Sequence, residues 1–350
     1  MVMTPPSLPS NFYSECRGTC SECVYLVQTR PYTIIPGDDL KLGVNFAVHD
    51  FSGTDPFICG AIRRTNGMQS FMAVRYALDR VKNGRAPVTL NNVEVGAILM
   101  DHCNSPARAY GLPSALYSGT LGRMGDNLDL NTIRAWLTDN TLVTEQMKDF
   151  FSDLTLPVIS PMATTNKFLD GEEYPLFVRT VQGDSTIASA LAMLVKSLGL
   201  QYVSIVYSAN SFGRGGTDAF SEISVQEGLC VIKYIEMNND VDAIVRELTS
   251  LPTHVVITYL GMEDMDQFLA ARGRNSNSSS LVIISPEPYP LILNKHRTHA
   301  RNVLSMRMRS NNLDGYREFV RGSTAMLGDH PALREYYMDM FKCNLPGEYK

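Results

Sequence analysis

Apolar and polar positions follow two different periods along this chain, and both are clearest in its middle part. After an apolar run at Leu176–Val181, Ser185–Leu198 places apolar residues three and four positions apart, the spacing of a helix with one buried face. Tyr202–Tyr207 is almost continuously apolar, as expected of a parallel strand that is buried on both faces. A polar, glycine-rich turn at Ser208–Gly216 leads to a helix over Thr217–Gln226. Strand, helix, strand, loop and helix in this order predict the βαβ unit of a parallel sheet.

The same two periods predict further elements on both sides of this unit. Apolar runs predict strands at Leu40–His49, Val93–Met100, Leu156–Ser160, Val231–Tyr234, His254–Leu260, Leu281–Ser285 and Asn302–Met308. Helical spacing predicts helices at Met68–Val81, Leu142–Phe151, Val241–Leu248 and Glu263–Ala271, and one more helix and strand are expected within Arg108–Trp136. With 350 residues the chain is long enough for two domains with sizeable cores.

Four candidate binding residues follow the predicted strands directly. Thr164, Asp184, Ser208 and Phe212 each come just after the carboxyl end of a strand. Open α/β sheets bind ligands at this edge, because loops and helix N-termini with free N–H donors converge there. The pattern therefore predicts a ligand site on the middle part of the chain.

Composition and charge exclude several other classes of protein. The chain is 44% hydrophobic and 19% charged, which is typical of a globular protein. A net charge of -5 argues against nucleic acid as a partner, since no basic face is indicated. No apolar run has the length needed to cross a bilayer, and the first residues lack the basic and apolar regions of a secretory signal. The chain is therefore expected to be soluble, or to be the soluble part of something larger.

Neither the spacing of the cysteines nor any catalytic motif in the sequence indicates a cofactor-dependent enzyme. Cys16, Cys20 and Cys23 lie in a tail over residues 1–32 that is rich in Pro and Ser, where they form a metal half-site, a disulfide or part of a disordered segment. No fourth ligand lies near them, so no metal site is predicted. The hydrolase, zinc-protease and phosphate-loop motifs are absent from the sequence. We expect no cofactor and no enzymatic activity.

Five short motifs carry a resemblance to a known family. They are I-S-x-x-A-T at Ile159–Thr164, R-x-V-x-x-D-S at Arg179–Ser185, Y-V-S-x-V at Tyr202–Val206, the aromatic-Gly pair Phe212–Gly213 and D-A-F at Asp218–Phe220. In sequence and in order they closely resemble the ligand-binding domain of metabotropic glutamate receptors, a family of class C G-protein-coupled receptors. The resemblance covers roughly residues 40–347.

The resemblance implies an α/β fold of the two-lobed periplasmic-binding-protein type I, also called the Venus flytrap fold, that is incomplete at its C-terminus. Lobe 1 would hold residues 33–180 and 310–350, and lobe 2 would hold residues 181–309. It also implies a small amino-acid-like ligand in the cleft between the lobes, a homodimer through lobe 1, and a place on the extracellular side of the cell membrane. A G protein would be reached only through a membrane domain that is absent here.

The resemblance further implies which residues hold the ligand. Thr141 falls where the family has a ligand-binding serine, and Thr164 on a threonine that contacts the amino-acid head group. Asp184 falls on an acidic position beside the cleft, and it is equally well explained as a helix N-cap. Phe212 replaces a tyrosine that closes over the ligand. Glu287, next to Pro286, is the candidate to replace an aspartate that pairs with the ligand ammonium.

Five other residues also carry expectations from the sequence. The family arginine that holds the distal carboxylate of glutamate falls at Ser70, which predicts weak glutamate binding or none. In the family the two matching cysteines pair, so Cys59 and Cys103 are expected to form a disulfide. Asn277 lies in the only N-x-S/T sequon and is the candidate glycosylation site. His102 is expected to be a loop histidine without a special role.

Two other functions stay compatible with the sequence. One is a soluble amino-acid-binding or decoy module that does not signal. The other is the sensing domain of a different receptor class with the same fold.

Overall fold

In the computed structural model the chain divides into two α/β units, each built around its own sheet. The structure describes residues 32–342 except 54, 56–57, 65, 88–89, 119–128, 140, 310 and 324–330. The first unit holds the described residues up to Ser160, Leu176–Val178 and those from Asn312 onward. The second unit holds Pro161–Pro175 and Arg179–Asn311. The lobe boundaries expected from the sequence stay a prediction, and the expected tail lies outside the described residues except for Tyr32, which begins the first strand.

The described part of the chain contains these strands and helices. The strands are β1 Tyr32–Ile35, β2 Leu40–Phe46, β3 His49–Phe51, β4 Cys59–Ile62, β5 Val95–Asp101, β6 Ile133–Thr138, β7 Val158–Ser160, β8 Phe177–Arg179, β9 Tyr202–Tyr207, β10 Cys230–Glu236, β11 Val255–Tyr259, β12 Val282–Ser285 and β13 Val303–Ser305. The α-helices are α1 Gly67–Lys82, α2 Pro106–Tyr117, α3 Thr141–Asp153, α4 Asp184–Ser197, α5 Ser211–Glu227, α6 Val241–Ser250, α7 Met262–Arg274, α8 Pro290–Lys295, α9 Tyr316–Gly322 and α10 Pro331–Phe341. Short 3₁₀ turns lie at Leu130–Thr132, Asn166–Leu169 and Ser276–Ser280.

The first unit is built on a sheet with strand order β1-β5-β2-β6-β7-β8. Its central strands are parallel, and β1 pairs antiparallel with β5 at the edge. Helices cover both faces, as a parallel sheet requires. Met147 and Phe151 of α3 pack with Trp136 on one face. Phe71 of α1 and Leu333 of α10 pack on the other face.

The second unit has a fully parallel sheet with strand order β10-β9-β11-β12-β13. Helices α4 and α5 cover one face, where Leu191 and Phe220 are fully buried against strands β9 and β11. Helices α6 and α7 cover the other face, where Val245 and Phe268 are buried. The burial of β9 and β11 on both faces explains why their sequences are nearly continuous apolar runs.

The structure corrects one predicted boundary of the βαβ unit. The stretch expected to be a turn up to Gly216 is mostly helical, because α5 already begins at Ser211. A Cβ on Gly213 would overlap the backbone of Ser208, and a Cβ on Gly216 would overlap the ring of Tyr259. These glycines therefore allow close packing of a helix, although glycine by itself is typical of a turn.

The other boundary differences are small. The sequence missed the edge strand β1, and the strand expected over Asn302–Met308 is only the three residues of β13. Helix α1 runs one residue beyond both ends of the predicted Met68–Val81. The predicted strand Leu40–His49 is divided into β2 and the separate, short β3.

Candidate functional site

The turn that follows β7 places Thr164 against the start of helix α4. The backbone N–H of Asp184 donates to the carbonyl oxygen of Thr164 at 2.9 Å. Arg179 donates from Nη1 to the carbonyl oxygens of Thr164 and Thr165, at 2.8 and 2.9 Å. These bonds hold the Thr164 turn, the end of β8 and the first turn of α4 together within the second unit.

Polar side-chain atoms in this region lack hydrogen-bond partners. Asp184 is only 2% exposed and Thr164 only 5%. Asp184 Oδ2 and Thr164 Oγ1 have no partner within the described part of the chain, and neither has Thr217 Oγ1 or the hydroxyl of Tyr259. Buried polar atoms are almost always paired in proteins, so an unpaired set at one edge of a sheet marks a candidate binding site.

Burial raises the pKa of the Asp184 carboxyl. The nearby hydroxyl of Thr164 and the charge of Arg179 oppose this effect without cancelling it. Asp184 is the first residue of α4, and its N-cap is Gly183, so it does not itself cap the helix. The helix N-terminus favours negative charge at this position. The carboxylate is therefore buried beside partly positive groups while one of its oxygens stays unpaired.

Helix α5 brings Phe212 to the same end of the second unit. Asn210 caps this helix, since its side-chain oxygen accepts a hydrogen bond from Gly213 N at 3.0 Å. The ring of Phe212 packs edge-on against Tyr259, with 6.4 Å between centroids. The charge of Asp184 contributes to a raised pKa of Tyr259, whose first cause is burial. Phe212 therefore contacts Tyr259, which in turn lies within electrostatic range of Asp184, and the shared role of these residues in ligand binding stays a prediction.

Glu287 lies after strand β12 in the same unit. Its backbone N–H donates to Ser285 Oγ at 3.2 Å, and burial raises the pKa of its carboxyl. No contact joins it to Asp184 or Thr164 among those that the structure describes. Its proposed role as the counter-charge of an ammonium stays a prediction.

The first unit holds the remaining candidate, Thr141, at the start of helix α3. Thr141 is buried, with 5% of its surface exposed. Asp139, two residues earlier, accepts hydrogen bonds from Ala47 N and from His102 Nε2, both at 2.9 Å. Burial acts to raise the pKa of Asp139, but the His102 and Ala47 interactions outweigh it and lower that pKa. His102 lies in the loop after β5, as expected, and it is fully buried there with Asp139 as its partner.

The other predicted positions are placed as follows. Cys59 and Cys103 form a disulfide bond. Ser70 donates from Oγ to the carbonyl oxygen of Asn66 at 2.6 Å, within the first turn of α1, and brings no positive charge to that place. Asn277 is exposed in the Ser276–Ser280 turn. Cys16, Cys20 and Cys23 lie outside the described residues.

Comparison with known proteins identifies the kind of domain. Residues 69–341 match the family model described as the receptor family ligand binding region. The chain belongs to this family. As part of it, the two α/β units with their parallel sheets have the type I periplasmic-binding-protein-like fold, so the predicted fold class is confirmed.

Two curated relatives support a more specific relationship for this receptor ligand-binding region. It is 24% identical to "Probable metabotropic glutamate receptor mgl-1" of Caenorhabditis elegans, over 88% of this chain and 34% of that protein. It is 25% identical to "Metabotropic glutamate receptor 4" of Macaca fascicularis, over 67% of this chain and 28% of that protein. The predicted resemblance to the class C receptor ligand-binding domain is therefore confirmed. The chain spans about a third of the length of these relatives.

The family consists of receptor ligand-binding regions rather than of enzymes. Within the residues that the structure describes, no helix combines the length and the apolar character that crossing a membrane requires.

Proposed function

We propose that this receptor ligand-binding region binds a small amino-acid-like ligand whose ammonium group pairs with Asp184. One observation carries the proposal: Asp184 is buried while its Oδ2 has no hydrogen-bond partner among the described residues. A buried carboxylate without a partner is costly, and a bound cationic group removes that cost. Functional sites are where such costs are retained.

The neighbours of Asp184 have the chemistry of an amino-acid site. The hydroxyl of Thr164 both donates and accepts, so it can bond the carboxylate or the ammonium of a ligand. The ring of Phe212 is half-buried at the start of α5, where it provides an apolar surface for the ligand. Thr141 and Glu287 are proposed as further ligand contacts. The expected place of the ligand, in a cleft between the lobes, stays a prediction.

Glutamate is not the ligand that we expect. Ser70 stands where the resemblance places an arginine for the distal carboxylate, and its hydroxyl is used inside helix α1. Loss of a charge-assisted bond of that kind costs a few kcal/mol, or about a hundredfold in affinity. The side chain of the preferred ligand is therefore proposed to be uncharged.

The proposed setting is the extracellular side of a cell membrane, with a homodimer formed through the first lobe. Signalling to a G protein would need a membrane domain outside this chain. The names of the two relatives support this receptor setting.

The test is a screen of the full chain against the common L-amino acids by thermal melting, followed by calorimetry. We expect at least one uncharged amino acid to raise the melting midpoint. At a hundredfold excess over the dissociation constant, binding adds about 2.7 kcal/mol of stability. The 2-hydroxy analogue of the same ligand, which lacks the ammonium, should bind at least tenfold more weakly.

A matched pair of variants distinguishes Asp184 from carboxylates in general. Asp184→Asn should abolish the ligand-induced shift, whereas Asp266→Asn should keep it, because Asp266 is already paired with Lys295 at 2.7 Å. Micromolar glutamate affinity, equal binding of the hydroxy analogue or a full shift in Asp184→Asn would each contradict the proposal.

A further inference from the structure

A glycine of helix α5 lies against the unpaired oxygen of Asp184. A Cβ on Gly215 would be 3.0 Å from Asp184 Oδ2 and 3.5 Å from Thr165 Oγ1. Carbon and oxygen atoms that are not bonded to each other meet at about 3.3–3.6 Å in close contacts. A side chain at this position would therefore press on Oδ2 and cover the side of it that faces α5. Because Gly215 has no Cβ, that side of the carboxylate is left uncovered.

Gly215 shares one face of helix α5 with Phe212. The two residues are three positions apart, a spacing that places them on neighbouring turns of the same face. Both are only partly buried, so a small molecule that packs on the Phe212 ring can also reach the backbone of Gly215. This face of α5 therefore borders the carboxylate on which the proposed function depends.

Two acceptor oxygens border the space beside Gly215. Asp184 is 2% exposed, and its Oδ2 has no hydrogen-bond partner among the described residues. Thr165 is 3% exposed, and its Oγ1 accepts a bond from Lys167 N at 3.4 Å, which leaves this hydroxyl able to accept another. Outside the chain next to Gly215 and its own helix, no other atom of the described residues lies within 4 Å of the Cβ position. The backbone carbonyl oxygens within the helix are used by its own hydrogen bonds.

The number of acceptors decides which ammonium group fits this space. A primary ammonium has three N–H donors, whereas a secondary ammonium, as in proline or an N-methyl amino acid, has two. Two oxygens can pair both donors of a secondary ammonium, but they leave one donor of a primary ammonium without an acceptor, which costs free energy in a buried site. The alkyl carbon of the secondary ammonium needs no acceptor. With an N–C bond of about 1.5 Å and an N···O distance of about 2.8 Å, that carbon lies roughly 3.6 Å from Oδ2, an unstrained contact.

We propose that Gly215 makes the Asp184 site selective for amino acids with a secondary ammonium group, such as proline and N-methyl amino acids. The inference rests on the proposed pairing of a ligand ammonium with Asp184, and it adds the kind of ammonium. Gly215 is then the specificity-determining residue, because any side chain in its place takes up space that the N-alkyl group needs beside Oδ2.

The experiment is titration calorimetry of the full chain with matched pairs of compounds. The probes are L-alanine, L-valine, L-leucine and L-phenylalanine, each with its N-methyl derivative, together with L-proline. For the side chain that binds best, we expect the N-methyl derivative to bind more tightly than the parent amino acid. Its N,N,N-trimethyl derivative, which has no N–H donor, should bind at least tenfold more weakly than the N-methyl compound.

A variant and a matched control test the role of Gly215. In Gly215→Ala, the ratio of the dissociation constants of the N-methyl compound and its parent should rise at least tenfold, because the new Cβ overlaps the N-alkyl group. Gly171→Ala in the same unit should leave this ratio unchanged, since a Cβ there would meet no atom within 4 Å. A purely structural role of Gly215 would weaken both compounds equally, and that result would overturn the inference.

Two outcomes separate this inference from the proposed function. Tighter binding of the parent amino acid to the unchanged protein, together with loss of that binding in Asp184→Asn, would overturn the inference and support the proposed function. This result does not depend on whether Gly215→Ala folds. If none of these compounds binds, the proposed function and the inference are both wrong.

Discussion

The unpaired carboxylate of Asp184 leads to a prediction about stability as well as about binding. The change is Asp184→Asn, which keeps the size of the side chain and removes its charge. An unsatisfied buried polar atom costs about 1–3 kcal/mol, and more when it is charged. The amide of the variant leaves a polar atom where Asp184 Oδ2 lies, so only the added cost of the buried charge is removed. Since Asp184 is 2% exposed, we expect the variant to be about 1–2 kcal/mol more stable at neutral pH. For a unit of this size, that gain raises the melting midpoint by about 2–4 °C per kcal/mol.

The direction of the pH dependence follows from the sign of the shift. Burial raises the pKa of Asp184 in the folded protein above its value in the unfolded chain. The Asp184 carboxyl therefore contributes its full stabilisation at pH values below its pKa in the unfolded chain. That contribution is lost as the pH rises through its pKa in the folded protein. The advantage of Asp184→Asn should be complete at neutral pH and should disappear as the pH falls below about 4.

The assay is scanning calorimetry of both proteins, without ligand, across this pH range. Asp266→Asn is the matched control with the opposite sign, because the hydrogen bond from Lys295, followed by that from His296, lowers the pKa of Asp266. That variant should be less stable than the unchanged protein at neutral pH, and the loss should fade in acid. A lower midpoint for Asp184→Asn at neutral pH, or a difference that does not fade in acid, would refute the reasoning.

Two further predictions concern helix α5. Gly216→Ala should destabilise the protein by about 1–3 kcal/mol, because the new Cβ overlaps the Tyr259 ring, and better helix propensity should return about 1 kcal/mol of this. The control is Gly322→Ala in helix α9, which has open space around it and should stabilise the protein. Urea unfolding measures both, and equal effects at the two sites would show that the overlap relaxes without cost. Asn210→Ala removes the cap bond to Gly213 and should cost about 1 kcal/mol in the same assay, while an unchanged midpoint would mean that solvent caps the helix equally well.

The elements predicted most reliably are those with local signals. Helix α4 follows from its apolar spacing, and strands β9 and β11 follow from continuous apolar runs, because both faces of the sheet are covered. Helix α5 was predicted to begin too late. Gly213 and Gly216 are needed because a Cβ at either position would overlap the backbone of Ser208 or the ring of Tyr259. Local helix propensity contains no information about these two contacts.

The amino-acid sequence by itself determined the parallel α/β character of the chain, because that depends on local periods, and its motifs carried the resemblance from which the family and the fold type followed. Only the tertiary structure paired His102 with Asp139, 37 positions away, and His49 with Glu335, 286 positions away. It also decided that one oxygen of Asp184 is left unpaired. Contacts between distant segments depend on how helices pack on a sheet, and no periodicity within a single segment encodes that packing.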